Sequence, residues 1–276
     1  MKALPQPTQF GVRYASIFQD ASVVTAYPNR APYPPETFDL LARLIDRSVS
    51  SVRVLDAGCG AGQMTSGLLT HAEQIDAIDI SAAMIAAGQR MPYGADPRIR
   101  WVVGGIEEVA LRPPYALIVA AASLHWMPWP VTLTRFAQTL SPNGYLALVE
   151  CRATVGDWRA ELTPLLAQYS MNQEFQPYTM LTIADELAQR GLFKQVGVWE
   201  TAPVDFAQPI AAWIEAIHSG NGFSRDRMDA SLAAEFDRRV RTVAEAHCAN
   251  GQVEQQVHAR IVFGKPLADH VGAAHE

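Results

Sequence analysis

The sequence predicts an α/β protein with a seven-stranded, mostly parallel sheet and helices on both faces. From residue 52 onward, short apolar segments alternate with segments of helical spacing, which is typical of repeated βαβ units. The apolar segments are apolar at nearly every position, as expected of strands covered on both faces. A glycine-rich turn directly follows the first of them.

The individual elements follow from these segments in chain order. Strands are predicted at residues 52–58, 74–81, 98–105, 115–123, 144–150, 193–202 and 255–265. Helical spacing is found at residues 37–45, 63–72, 82–91, 131–140, 157–170 and 182–191. The tetrapeptide "SPNG" (141–144) predicts a turn before the fifth strand.

These elements divide the chain into three regions. Residues 1–50 are predicted to form an N-terminal lid or helical segment, which includes the proline-rich stretch 26–36. Residues 51–208 and 250–276 form the predicted core. A helical insert at 209–249, bent at 218–224, lies between the sixth and seventh predicted strands and is expected to cover a substrate cavity.

Composition argues against several classes of function. The chain has 276 residues, 18% of them charged, and a formal net charge of −6, so no nucleic acid partner is implied. Its three cysteines lack metal-ligand spacing, which predicts reduced thiols and no metal. Without a signal peptide or an apolar run of membrane-spanning length, we expect a cytoplasmic protein without a membrane partner.

The strongest motif is "VLDAGCGAG" (54–62), in which a buried strand runs into glycines and then a helix. Gly58 and Gly60 allow the backbone to approach a ligand closely, and the helix N-terminus offers free N–H groups. Asp79 ends the second predicted strand 23 residues after Asp56. A carboxylate at that place can accept both hydroxyls of a ribose.

The spacing of the glycines discriminates between nucleotide cofactors. A dinucleotide fingerprint is G-x-G-x-x-G, whereas this loop reads G-x-G-x-G with Gln63 next. Asp56 at the mouth of the loop would oppose a pyrophosphate but suits a cofactor that carries an ammonium and a sulfonium. The motif therefore favours S-adenosylmethionine over NAD.

With these motifs, the chain resembles the class I S-adenosylmethionine-dependent methyltransferases, in the small-molecule branch called type 11 that includes trans-aconitate and carboxyl methyltransferases. "LDAGCGAG", "AIDIS", "SLHWM", "LSPNGYLAL" and "YPNRAPYPP" carry the resemblance. It implies a Rossmann-like fold and a set of cofactor-binding residues. Those residues are Asp56, Gly58, Cys59, Gly60, Asp79, Ile80, Met84, Gly105, Ile106 and Ala121.

Two departures from the family pattern concern the third and fourth strands. The family's acidic residue that binds the adenine amino group aligns with Gly105, so that contact falls either to the backbone of Ile106 or to Glu107. Ala116 stands where the family often has an aspartate at the start of the fourth strand.

The segment "SLHWMPWP" (123–130) supplies the candidate catalytic residue, His125. One interpretation is a general base at the end of the fourth strand, and the other is a residue that packs against Trp126 and walls the site. Arg30 is a candidate to bind a carboxylate of the cofactor or of the substrate. Candidate substrate-binding residues are Tyr14, Tyr27, Tyr33, Trp126, Trp129 and His218.

These observations predict an S-adenosylmethionine-dependent methyltransferase for a small molecule, acting at oxygen and with a carboxylate acceptor slightly preferred. A carboxylate needs no base, and the sequence offers no clear base pair. The alternative is a protein of this fold that binds the cofactor but catalyses a non-methylating reaction such as a cyclisation. We expect a monomer or a homodimer.

Overall fold

The computed structural model describes residues 6–268, so residues 1–5 of the predicted lid and 269–276 of the predicted core lie outside the described residues. Eight strands form one sheet. They are β1 (Arg53–Ala57), β2 (Gln74–Asp79), β3 (Ile99–Val103), β4 (Tyr115–Ala121), β5 (Leu140–Thr154), β6 (Phe193–Glu200), β7 (Val204–Pro209) and β8 (Gln252–Pro266).

The sheet has the order β3-β2-β1-β4-β5-β8-β6, and β7 also pairs with β8. Strands β3, β2, β1, β4 and β5 are parallel, and β8 runs antiparallel to β5, β6 and β7. Since β6 pairs with residues 260–266 of β8 and β7 with residues 252–257, the two short strands share one edge position. The predicted mostly parallel sheet is confirmed.

Two details of the strands differ from the sequence prediction. The "SPNG" segment, predicted as a turn before the fifth strand, falls within β5, which begins at Leu140. Pairing with β4 shifts there from Leu140 opposite Tyr115 to Tyr145 opposite Leu117, so residues 141–144 form an irregularity in the strand. The Ser141 hydroxyl donates to Asp46 (2.8 Å) and the Lys265 ammonium to the Pro142 carbonyl (2.9 Å). Strand β7 was not predicted, because it is mostly exposed and lacks an apolar run.

Helices cover both faces of the sheet, as predicted. The main α-helices are α1 (Val12–Ala15), α2 (Ala21–Ala26), α3 (Glu36–Ala42), α4 (Gln63–Leu68), α5 (Ala82–Gln89), α6 (Trp129–Thr139), α7 (Arg159–Tyr169), α8 (Met180–Gln189), α9 (Ile210–His218) and α10 (Ala230–His247). One core joins β1 and β4 to α3, α4 and α5, and a second joins the opposite strand face to α6 and α8. This division follows from the alternation of side chains along each strand.

A third core unites α7, α9 and α10 around Leu165, Trp213 and Phe236. Helices α9 and α10 occupy the region of the predicted insert, but in chain order they fall between β7 and β8. The bend between them is joined to the N-terminal segment by the Arg227–Asp20 ion pair (2.6 Å). No helix within residues 6–268 is both long and apolar enough to span a bilayer.

Candidate active site

A cavity of about 450 Å³ lies at the carboxyl ends of β1, β2 and β4. In parallel α/β sheets, ligands bind in this crevice, where the strand order changes direction from β1. Its roof consists of residues from the N-terminal segment 6–30, which we call the lid, and its floor of the loops that follow the strands. Among the described residues, the predicted insert contributes nothing to the lining.

The glycine loop after β1 forms one wall of the cavity. Gly58 and Gly60 have positive φ values of 72° and 54°, a conformation that few other residues adopt without strain. A Cβ atom on Gly58 would lie 2.4 Å from the Cβ of Ser123, and one on Gly60 would lie 3.2 Å from the Tyr27 hydroxyl. The loop therefore needs glycine both for its turns and for its close neighbours.

Asp79 fixes the loop from the neighbouring strand. One carboxylate oxygen accepts the N–H of Gly60 (2.8 Å), and the other accepts the N–H of Ser81 (2.8 Å). Burial raises the pKa of the Asp79 carboxyl, and the two N–H groups oppose this shift. The side chain lines the cavity, and a carboxylate with two accepted bonds retains lone pairs for a ligand.

Asp56 and Cys59 lie behind the loop and do not line the cavity. Asp56 is fully buried, accepts the Thr65 hydroxyl at 2.6 Å, and has no described partner for its Oδ1 atom. Burial raises its pKa to about 7 against the Thr65 hydrogen bond, and the nearby Asp79 charge adds to the rise. The structure therefore places both predicted residues behind the lining of the cavity.

Beyond Asp79, the cavity continues between the ends of β2 and β3. Ile80, Met84, Gly105, Ile106 and Glu107 line it there. A Cβ atom built on Gly105 would lie 2.5 Å from the Glu107 carboxylate, so this carboxylate occupies the space that an acidic side chain at 105 would take.

The backbone that carries Glu107 is held in place from α6. Arg135 donates to the carbonyl oxygens of Glu107 and Val109. The Glu107 carboxylate itself has no hydrogen-bond or ion-pair partner within residues 6–268, which leaves it free to accept from a ligand.

The end of β4 forms the opposite wall. Ala121, Ala122 and Ser123 line the cavity, and the Ser123 hydroxyl donates to the Ala57 carbonyl at 2.5 Å. Ala122 has a φ of 49°, which costs a residue other than glycine about 1–2 kcal/mol. Such strain is typical of functional sites that the surrounding structure holds in place.

His125 is brought close to this wall but does not line the cavity. It is 1% exposed, and its ring packs against the rings of Phe10, Trp126 and Tyr178. Its Nε2 atom lies 2.9 Å from the Tyr178 hydroxyl. Burial lowers the pKa of His125 to about 3, so the ring is neutral at physiological pH and takes up a proton poorly. This geometry favours the packing interpretation over the general base.

The predicted substrate-binding residues divide into two groups. Tyr27 and Trp126 line the cavity. Trp129 is 1% exposed and donates its indole N–H to the Leu124 carbonyl, so it belongs to the core. Tyr33 packs against Phe38, and Tyr14 lines a separate cavity of about 120 Å³. His218 is buried between α9 and α10, away from the cavity.

Arg30 reaches the cavity from the lid. Its guanidinium stacks on the Tyr27 ring at 4.2 Å, and Tyr27 in turn meets the glycine loop at Gly60. Ser219 orients it, since Nε donates to the Ser219 hydroxyl (2.8 Å) and Nη2 to the Ser219 carbonyl (2.5 Å). Its Nη1 has no hydrogen-bond partner among the described residues.

Sequence reasoning missed several residues of the site. Gln6, Phe10 and Phe18 line the cavity from the lid, although nothing in their spacing distinguishes them from loop residues. The Gln6 amide donates to the His125 carbonyl. Tyr178, the partner of His125, lies 53 residues away in sequence, and no local pattern connects the two.

The buried Asp56 carboxyl predicts a pH dependence of stability. Between its ordinary pKa near 3.8 and about 7, the folded protein keeps a proton that the unfolded chain releases, so stability falls as pH rises through this window. Relative to that of the original protein, the free energy of unfolding of Asp56→Asn should therefore increase by roughly 2–4 kcal/mol between pH 4 and pH 8. Urea unfolding of the cofactor-free protein measures this difference.

Asp46→Asn is the matched control for that experiment. Hydrogen bonds from Ser48 lower the pKa of Asp46 to about 2, so its carboxyl is ionised in both states above pH 5. The difference in free energy of unfolding between Asp46→Asn and the original protein should therefore be constant from pH 5 to pH 8. If the difference in free energy of unfolding for Asp56→Asn is also constant over this range, the conclusion that the Asp56 carboxyl is buried and protonated would be contradicted.

Known proteins match the part of the chain that forms this site. A family model described as a methyltransferase domain matches residues 54–144. A trans-aconitate 2-methyltransferase from Mycolicibacterium gilvum is 33% identical over 113 residues, which are 40% of this chain and 41% of that protein. A malonyl-[acyl-carrier protein] O-methyltransferase from Anoxybacillus flavithermus is 34% identical over 109 residues, 38% of this chain and 39% of that protein.

The fold extends further than these sequence matches. A solved structure from Anaeromyxobacter dehalogenans, assigned as a type II methyltransferase, has a TM-score of 0.60 at 20% identity and covers 87% of this chain and 99% of its own. At that identity it shows the fold alone, and the curated relatives match over only about two-fifths of their length. Residues 54–144 therefore match a methyltransferase domain, and the sheet that contains them has the Rossmann-like methyltransferase fold.

Proposed function

We propose that the protein transfers a methyl group from S-adenosylmethionine to a carboxylate oxygen of a small molecule. The observation that carries the choice of acceptor is that no lining residue within residues 6–268 supplies a neutral-pH base on the β4 side of the cavity. Among the described lining residues, the carboxylates are Asp79 and Glu107, which lie on the β2–β3 side, while His125 lies outside the lining with a pKa of about 3.

The residues of the cavity fit this cofactor. Asp79 retains lone pairs for two ribose hydroxyls, and Ile80 and Met84 offer apolar surface to a purine. Glu107 can accept from an exocyclic amino group. Arg30, stacked on Tyr27 beside the glycine loop, presents Nη1 to a carboxylate at the amino-acid end of the cofactor.

When bound, S-adenosylmethionine supplies a methyl group on a positively charged sulfonium. The chain's part is to orient the acceptor and to exclude water, and orientation alone can contribute several kcal/mol to such a reaction. The lid residues Phe10 and Phe18, together with Trp126 from the segment after β4, provide apolar surface for that purpose. A carboxylate acceptor arrives ionised, so the chain need not remove a proton, whereas an alcohol or a phenol would require a base.

Methyl transfer to a carboxylate is tested directly with S-adenosylmethionine labelled in its methyl group. With trans-aconitate as the acceptor, we expect a labelled product that alkali hydrolyses, as an ester does. Because the acceptor needs no proton removed, the rate should vary less than about twofold between pH 7.5 and 8.5, above the pKa of about 7 of Asp56. The trimethyl ester of trans-aconitate is the control and should receive no label.

Other outcomes would overturn this assignment. Transfer to catechol instead, with a rate that rises with pH, would indicate a hydroxyl acceptor and a base that the geometry does not identify. If S-adenosylhomocysteine binds but neither acceptor class receives label, the non-methylating alternative gains support.

Glu107 is expected to select adenine. In calorimetry, the protein should prefer S-adenosylhomocysteine to S-inosylhomocysteine by about tenfold or more, because the carboxylate accepts from an amino group and opposes a carbonyl. Glu107→Gln should reduce this preference to about threefold or less. The neighbouring Glu108 is exposed and does not line the cavity, so Glu108→Gln should keep the full preference. An unchanged preference in Glu107→Gln would contradict the assignment.

A further inference from the structure

His218, at the end of α9, has two hydrogen-bond acceptors around one buried ring. Its side chain is 1% exposed, with Nδ1 2.6 Å from the Phe223 carbonyl oxygen and Nε2 2.7 Å from an Asp237 carboxylate oxygen. A carbonyl oxygen only accepts, and so does an ionised carboxylate. Each ring nitrogen thus has an acceptor within hydrogen-bond distance, and the ring is held between the bend and α10.

Further side chains extend these contacts into a network. The second oxygen of Asp237 accepts from Arg225 (2.8 Å), and Arg225 also pairs with Glu215 (2.7 Å). His218, Asp237, Arg225 and Glu215 thus form one network that joins α9, the bend at residues 219–229 and α10. From the lid side, Arg30 bonds to Ser219, the residue that follows His218.

The bend that His218 closes is the anchor of the lid. Ser219 donates its hydroxyl to the Ala216 carbonyl (2.6 Å) and accepts Nε of Arg30 on the same oxygen (2.8 Å). A few residues later, the Ser224 hydroxyl donates to Asp20 (2.6 Å), and Arg227 pairs with the same carboxylate. Asp226 accepts the backbone N–H of Ser22 (3.0 Å).

We propose that His218 is a positioning residue for cofactor binding, which acts through Ser219 on Arg30 and holds the lid over the cavity. His218 does not touch the cavity itself. Its two hydrogen bonds fix the bend, the bend fixes the Ser219 oxygens, and these oxygens direct the guanidinium toward a carboxylate. The role of Arg30 in this chain of contacts rests on the proposed function, whereas the attachment of the lid does not.

A double-mutant cycle tests whether His218 acts through Arg30. His218→Gln, Arg30→Gln and the double variant are compared by calorimetry with S-adenosylhomocysteine. Each single variant should bind about tenfold or more weakly, because each loses charged hydrogen bonds, and the double variant should be no weaker than Arg30→Gln alone. Additive losses, or an unchanged affinity in His218→Gln, would overturn the proposal.

Hydrogen exchange of the cofactor-free protein gives an independent measurement. In His218→Gln, amide protection should fall about tenfold or more both in residues 219–227 and in lid residues 21–30. His247→Gln is the matched control, because His247 at the end of α10 also pairs with a carboxylate (Glu161 of α7, 3.0 Å) but has no hydrogen bond, ion pair or ring contact with residues 6–30. Unchanged protection of residues 21–30 in His218→Gln would overturn the attachment of the lid.

The two measurements separate this proposal from the proposed function. Neither measurement requires a methyl acceptor. Both can therefore be interpreted even if methyl transfer to a carboxylate fails. Should His218→Gln not fold, Asp237→Asn removes the carboxylate charge from the same network and enters the same cycle and the same exchange experiment, with the same expected losses.

Discussion

The candidate site depends on one hydrogen bond between neighbouring strands, from the Gly60 N–H to the Asp79 carboxylate. Parallel pairing of β1 with β2 brings the two residues together, and left-handed glycines on either side let the loop turn toward the carboxylate. With this contact made, Asp79 still faces the cavity, and its carboxylate oxygens retain lone pairs that can accept hydrogen bonds from a ligand. Loop conformation and ligand-binding capacity are thus consequences of one interaction.

The parallel sheet and the helical region of α7, α9 and α10 contribute to the site in different ways. The parallel strands and their two cores hold the glycine loop, Asp79 and the end of β4 in fixed relation. The third core, formed by α7, α9 and α10, contributes nothing to the described lining, but its bend is bonded to the lid. A cofactor held under the lid would thereby be linked to a part of the protein that it does not touch.

The sequence predicted what local patterns encode. The order of strands and helices follows from apolar periodicity, and Gly58, Gly60 and Asp79 follow from a motif within one βαβ unit. It did not predict contacts between distant segments, such as Tyr178 with His125 or Ser219 with Arg30. His125 was predicted as the candidate catalytic residue, and its burial, which lowers its pKa to about 3, argues against a general base.

The most direct test of the central claim is the affinity of the protein for S-adenosylhomocysteine, measured by calorimetry before and after Asp79→Ala. If Asp79 binds the ribose and shapes the loop, its loss removes at least two charge-assisted hydrogen bonds, and affinity should fall about 100-fold. Circular dichroism would establish that the variant is folded. An affinity within about twofold of the original in that folded variant would contradict the placement of the cofactor at this crevice.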